Sequence, residues 1–105
     1  MKRQKRRYLA LRLDVDFAPC EKDFLDAVWG SVTRLFGEVG ASLAGLALIR
    51  YDVDAKEAVL RVNLVAVDSM RAALAAITTL GGKAAAVHVV AVSGTIKALL
   101  DCLNP

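Results

Sequence analysis

From Tyr8 to Phe17 the chain alternates without a break: Leu9, Leu11, Leu13, Val15 and Phe17 fall on one side, and Tyr8, Ala10, Arg12, Asp14 and Asp16 on the other. Successive side chains of a strand leave opposite faces of a sheet, so a sustained period of two marks a strand with one buried face. This pattern commits the chain to a sheet with one face covered by another layer. The rest of the sequence has to supply the partner strands and that layer.

It supplies both. Ala18-Pro19 breaks the alternation, and Glu21 and Asp23 suit the positive end of a helix. Phe24, Leu25, Val28, Val32, Leu35, Phe36 and Val39 then recur at helical spacing, fading at Gly37 and Gly40. Trp29 adjoins that stripe and reads as core or rim packing. Residues 46–51 and 58–67 predict two strands joined as a hairpin by the loop DVDAKE. Asp68 suits the cap of a second helix running to Leu80, ended by Gly81-Gly82. Lys83 to Val92 predicts a fourth strand, and residues 95–103 a short third helix.

The predicted order is β-α-β-β-α-β, an α+β sandwich of the ferredoxin-like or RNA-recognition-like type, with an extra C-terminal helix. Residues 1–7 read as a basic arm and 8–105 as a single domain, and 105 residues with 56% apolar content suffice for one core. No apolar run approaches the roughly 18 residues of a membrane span, and no secretory signal pattern is present. The expectation is a cytoplasmic protein with no membrane association.

The net charge of +3 is unevenly placed: residues 1–13 hold Lys2, Arg3, Lys5, Arg6, Arg7 and Arg12 and no acid, leaving the remainder net negative. A terminal block of this kind suits nucleic acid or another acidic surface. On the strand face away from the core, Arg12 and Arg61 are candidate phosphate contacts. Arg50 is a further candidate whose side of its strand is uncertain by one residue. The stacking-aromatic signature of RNA-recognition domains is absent, so base stacking on the sheet is not expected. In VAVSGTIKALL, a strand runs into a helix through Ser93-Gly94-Thr95: Gly94 would let the chain turn and Ser93 or Thr95 would cap. Lys97 in the first turn is unfavourable unless an anion lies nearby.

Signals for catalysis are weak. His88, the single histidine, sits among valines with no nearby acid in sequence and reads as a core or rim residue. No metalloprotease, phosphate-loop or dinucleotide motif occurs. Cys20 and Cys102 are unpaired by spacing and read as small buried hydrophobes, and an ordinary closed zinc site within one chain is excluded. Spaced aspartates such as Asp14 and Asp16 or Asp52 and Asp54 read as solvated. The expectation is no catalytic residue and no metal.

Three blocks carry a resemblance: RRYLALRL (6–13), GLALIRYD (45–52) and VSGTIKAL (92–99). In order and spacing they resemble archaeal ribonuclease P protein component 2, the counterpart of a eukaryotic ribonuclease P and MRP subunit. The resemblance spans residues 6–100, and its specific parts are GLALIRYD and SGTIKAL. Arg7 and Tyr8 match the family's basic-aromatic entry to the first strand. Arg50, Tyr51 and Asp52 match its Arg-Tyr-Asp block, and Gly94, Thr95 and Lys97 its Gly-Thr-x-Lys turn. Asp14 and Asp16 depart from the family's more usual polar residues, and the chain ends sooner after the third helix than many relatives do. Both departures bear on the partner interface rather than on the fold.

The resemblance implies an RNA-binding accessory subunit of a ribonucleoprotein that removes the 5′ leader of precursor tRNA. It implies catalysis by the RNA with magnesium, and no cofactor bound by the chain itself. The implied partners are ribonuclease P RNA and ribonuclease P protein component 3, in a heterotetramer with two copies of each. Other ribonuclease P proteins complete the complex, and precursor tRNA is its substrate. The candidate RNA contacts are Lys2, Arg3, Lys5, Arg6, Arg7, Arg12, Arg50, Arg61, Thr95 and Lys97. The competing readings are a regulatory module of the same fold that binds a small anionic ligand, and a purely structural ribosomal-type protein.

Overall fold

A computed structural model describes residues 5–98. Six strands and two helices follow in the order β1 (Arg6–Asp14), α1 (Glu21–Leu43), β2 (Ala47–Asp52), β3 (Glu57–Asn63), α2 (Val67–Ala75), β4 (Thr79–Leu80), β5 (Lys83–Ala84) and β6 (Ala86–Ser93). Four of them form one sheet in the order β2-β3-β1-β6, every neighbouring pair antiparallel. This is the ferredoxin-like arrangement that the sequence predicts, with β1 in the interior of the sheet.

The alternation of β1 is realised as read. Leu9, Leu11 and Leu13 are buried against Phe24, Val28 and Val32 of α1 and Met70, Ala73 and Leu74 of α2. Ala58, Leu60 and Val62 of β3 join the same core. Ser31 ties the two helices together, its buried Oγ donating to the Ala73 carbonyl at 2.6 Å. Tyr51 stacks on Phe24 with ring centroids 5.2 Å apart and donates its hydroxyl to the Pro19 carbonyl, fixing the entry to α1.

Several boundaries differ from the sequence reading. β1 takes in Arg6 and Arg7, so the arm is shorter than seven residues, and it ends at Asp14 rather than Phe17. Val15 and Phe17 still pack on the core from the loop, where Lys83 sits 5.2 Å from the Phe17 ring centroid. α1 runs past its predicted end, but it is broken at Gly37, whose φ of 75° and ψ of 174° are not helical. The stripe has already left the core before that point, with Leu35 and Phe36 exposed, and after it Val39 is 74% exposed. Trp29 is a rim residue.

β3 ends at Asn63, because Leu64–Ala66 curl into a single 3-10 turn instead of pairing. α2 starts at Val67, with Asp68 inside its first turn and no side-chain cap. Its helical pattern was read through to Leu80, yet Thr79 and Leu80 pair with Lys83 and Ala84 across Gly81-Gly82, both with positive φ. The predicted fourth strand is therefore two, β5 and β6. Cys20 is exposed rather than buried, because Pro19 and Phe24 take the inward positions there. The third helix is described only at its start, over 96–98. Its leucines, Cys102, Lys2 and Arg3 lie outside the described residues.

Candidate nucleic-acid interface

The sheet face turned away from the helices carries most of the candidate residues. Antiparallel pairing places directly opposed residues on one face, so the register defines it row by row. Arg6 opposes Asn63, and Tyr8 lies between Arg61 and Ser93. Ala10 lies between Val59 and Ala91, and Arg12 between Glu57 and His88. Tyr8, Ala10, Val59 and Ala91 form a small second apolar cluster, in which Ala10 and Val59 are buried.

Arg50 reaches this face through an irregularity. The register of β2 on β3 slips between Leu48 and Arg50, leaving Ile49 out of the count. Leu48 and Tyr51 therefore both meet core residues, Leu60 and Ala58, while Arg50 stands opposite Val59. A matching slip between Ala10 and Leu11 leaves Val90 of β6 out of register.

Charge divides the face. In the half toward Asp14, Arg50 lies 3.7 Å from Asp52, His88 lies 4.0 Å from Asp14, and Arg12 opposes Glu57. These are exposed pairs in which acids offset the arginines. His88 is thus neither core nor buried rim: it is an exposed residue on this face, and the acid near it in space, Asp14, comes from a strand far away in sequence. In the other half, Arg6, Tyr8, Arg61, Asn63 and Ser93 include no acid. Arg61 is half-buried, and its Nε is shut off from solvent with no hydrogen-bond partner among the described residues.

The basic arm arrives at this acid-free end. Lys5 is held there through its carbonyl, which accepts from Leu64 N–H at 2.7 Å. Because β1 and β6 are antiparallel, the Ser93-Gly94-Thr95 turn lies beside the start of β1. Thr95 caps the helical turn after it, its Oγ1 accepting from Ala98 N–H at 3.1 Å, while Ser93 Oγ accepts from Thr95 N–H at 3.3 Å. The chain bends at Gly94 as expected, but outside the left-handed region, so the bend does not by itself require glycine. Arg7 instead lies across it, with Nη1 3.7 Å from where a β-carbon would stand. The structure thus brings Lys5, Arg6, Arg7, Arg61, Thr95 and Lys97 to one end of the sheet, Arg7 leaving β1 on the helix side opposite Val62, and sets Arg12 and Arg50 apart among acids.

Among the described residues no group of three or more His, Cys, Asp or Glu side chains gathers closely enough to hold a metal ion, and no helix is long and apolar enough to cross a membrane.

Comparison with known proteins agrees with this architecture. A model described as the Rpp14/Pop5 family matches residues 7–103. Ribonuclease P protein component 2 of Pyrococcus abyssi is 33% identical over 97 residues, covering 92% of this chain and 82% of the relative. The protein of the same name from Thermococcus gammatolerans is 34% identical over 98 residues, covering 92% and 81%. The one from Methanosarcina mazei is 33% identical over 95 residues, covering 90% and 80%. A chain in the cryo-EM structure of yeast ribonuclease MRP superimposes with a TM-score of 0.68 at 17% identity, covering 90% of this chain and 78% of that one.

Proposed function

The chain belongs to the Rpp14/Pop5 family, and from that premise we propose that it is a protein subunit of ribonuclease P that supports the catalytic RNA in removing the 5′ leader of precursor tRNA. The observation that carries this reading is identity of about a third, over nearly the whole chain, to proteins named ribonuclease P protein component 2. The basic, acid-free end of the sheet is consistent with an RNA partner. A protein that neutralises phosphates lowers the cation concentration the RNA needs for itself, because each contact releases condensed counterions. In this reading magnesium and the cleavage chemistry belong to the RNA, and the chain contributes charge and shape.

The finer assembly follows the same reading: ribonuclease P RNA on the basic end, and ribonuclease P protein component 3 as protein partner in a complex with two copies of each. The test is precursor-tRNA cleavage by the cognate RNA over a magnesium series, with RNA alone, RNA with component 3, and RNA with both proteins. Activity at low magnesium only when this chain is present is the expected result. No change, with component 3 shown to be folded and bound, would transfer support to a module of the same fold that binds a small anionic ligand. Thermal stabilisation by inorganic phosphate without any response to RNA would mark that alternative.

A further inference from the structure

We propose that Arg7, its guanidinium beside Gly94, is a fixed fork for the phosphate backbone of RNA at the end of the sheet where β1 begins. The proposal rests on the ribonuclease P reading and deepens it by naming the contact. Of the five N–H donors of the Arg7 guanidinium, one of the two at Nη1 donates to the Arg6 carbonyl at 3.0 Å. No carboxylate pairs with Arg7 among the described residues, whereas Arg50 has Asp52 and His88 has Asp14. Arg7 is nonetheless half-buried, so its position is set by packing rather than left to solvent.

Gly94 is one of its neighbours. The closest atoms to a β-carbon built there are Arg7 Nη1 at 3.7 Å and Cζ at 3.8 Å. A methyl at this position would thus stand in ordinary van der Waals contact with the guanidinium, and a larger side chain directed the same way would push it aside. A planar, always-charged fork already held in place loses little rotamer freedom on binding, and its geometry matches two phosphate oxygens. Arg6 on the same strand, and Lys97 one helical turn after Gly94, extend the positive field on either side. The occupant is set by complementarity: cations gathered without acids, with no stacking signature, suit a sugar-phosphate backbone rather than splayed bases.

The experiment measures binding of the protein, in complex with component 3, to the ribonuclease P RNA transcript over a salt series, with low-magnesium cleavage as a second readout. Arg7→Ala is expected to weaken binding about tenfold and to flatten the slope of log K against log salt by somewhat less than one. Arg7→Lys keeps the slope but recovers only part of the affinity, because it keeps the charge and loses the fork. Gly94→Ala binds like the parent, and Gly94→Leu loses affinity as Arg7→Ala does while its thermal melt and its binding to component 3 stay unchanged. Arg50→Ala, offset by Asp52, loses less than Arg7→Ala.

The proposal is overturned if Arg7→Ala binds the RNA like the parent in a complex that still cleaves at low magnesium. Loss of component 3 binding with RNA binding intact would overturn it equally, making this end a protein interface. If the parent complex itself gives no low-magnesium activity, the ribonuclease P reading fails, which is a separate result.

Discussion

At the residue scale, the structure turns on which side of a strand a side chain takes, and local irregularities decide this. Strict alternation from Leu48 would carry Arg50 into the core and Tyr51 out of it. The slip at Ile49 reverses both, and no residue in LALIRYD announces it. Tyr51 then packs against the core, half-buried, with its phenol bonded to Pro19. Burial raises its pKa above the ordinary value of 10.0, and the charges of Cys20, Asp23 and Glu21 push the same way. A phenol whose pKa is higher folded than unfolded stabilises the fold fully below the unfolded value, and that contribution is lost as pH rises through the folded one. Denaturant midpoints should therefore fall above about pH 10, and Tyr51→Phe should remove that part of the fall. At pH 7 the same substitution is expected to cost about 1 kcal/mol for the lost hydrogen bond.

At the element scale, periodicity located β1, α1, β2, β3 and the body of α2, because each buries one face in a regular repeat. It failed where tertiary contact overrides pattern. The stripe of α1 continues through Leu35, Phe36 and Val39, but these lie off the core that Phe24, Val28 and Val32 occupy, the first two before the break at Gly37 and the last after it. Val28→Ala should cost about 2 kcal/mol through lost contacts and a cavity, while Val39→Ala should stay within about 0.5 kcal/mol. Chemical denaturation of the two variants checks this; equal costs would mean that the second half of α1 packs on the core after all. Thr79 and Leu80 looked helical because their spacing continued that of α2, and only Lys83 and Ala84, beyond the glycine turn, show that they pair instead.

At the scale of the molecule, the candidate interface was half legible. The cations themselves, and the absence of acid near the N-terminus, could be read directly. Their partition could not: Asp52 is near Arg50 in the sequence too, but Glu57 opposite Arg12 and Gly94 beside Arg7 come from segments distant in sequence. The uneven charge predicts binding to ribonuclease P RNA that weakens steeply with salt, as a titration between about 50 and 200 mM salt would show. A salt-independent affinity would rule out phosphate contacts as its source.

The interior place of β1 also sets a timetable. This strand is synthesised before both of its neighbours in the sheet, since Tyr8 pairs with Arg61 on one side and Ser93 on the other. The strand that anchors the sheet stays unpaired until β3 has been made and half-paired until β6 follows, with Leu9, Leu11 and Leu13 awaiting cover. Loop closure over such spans is slow, and an exposed alternating strand invites foreign pairing. The cations that flank those leucines, from Lys2 to Arg12, also keep the nascent segment in solution until its partners arrive.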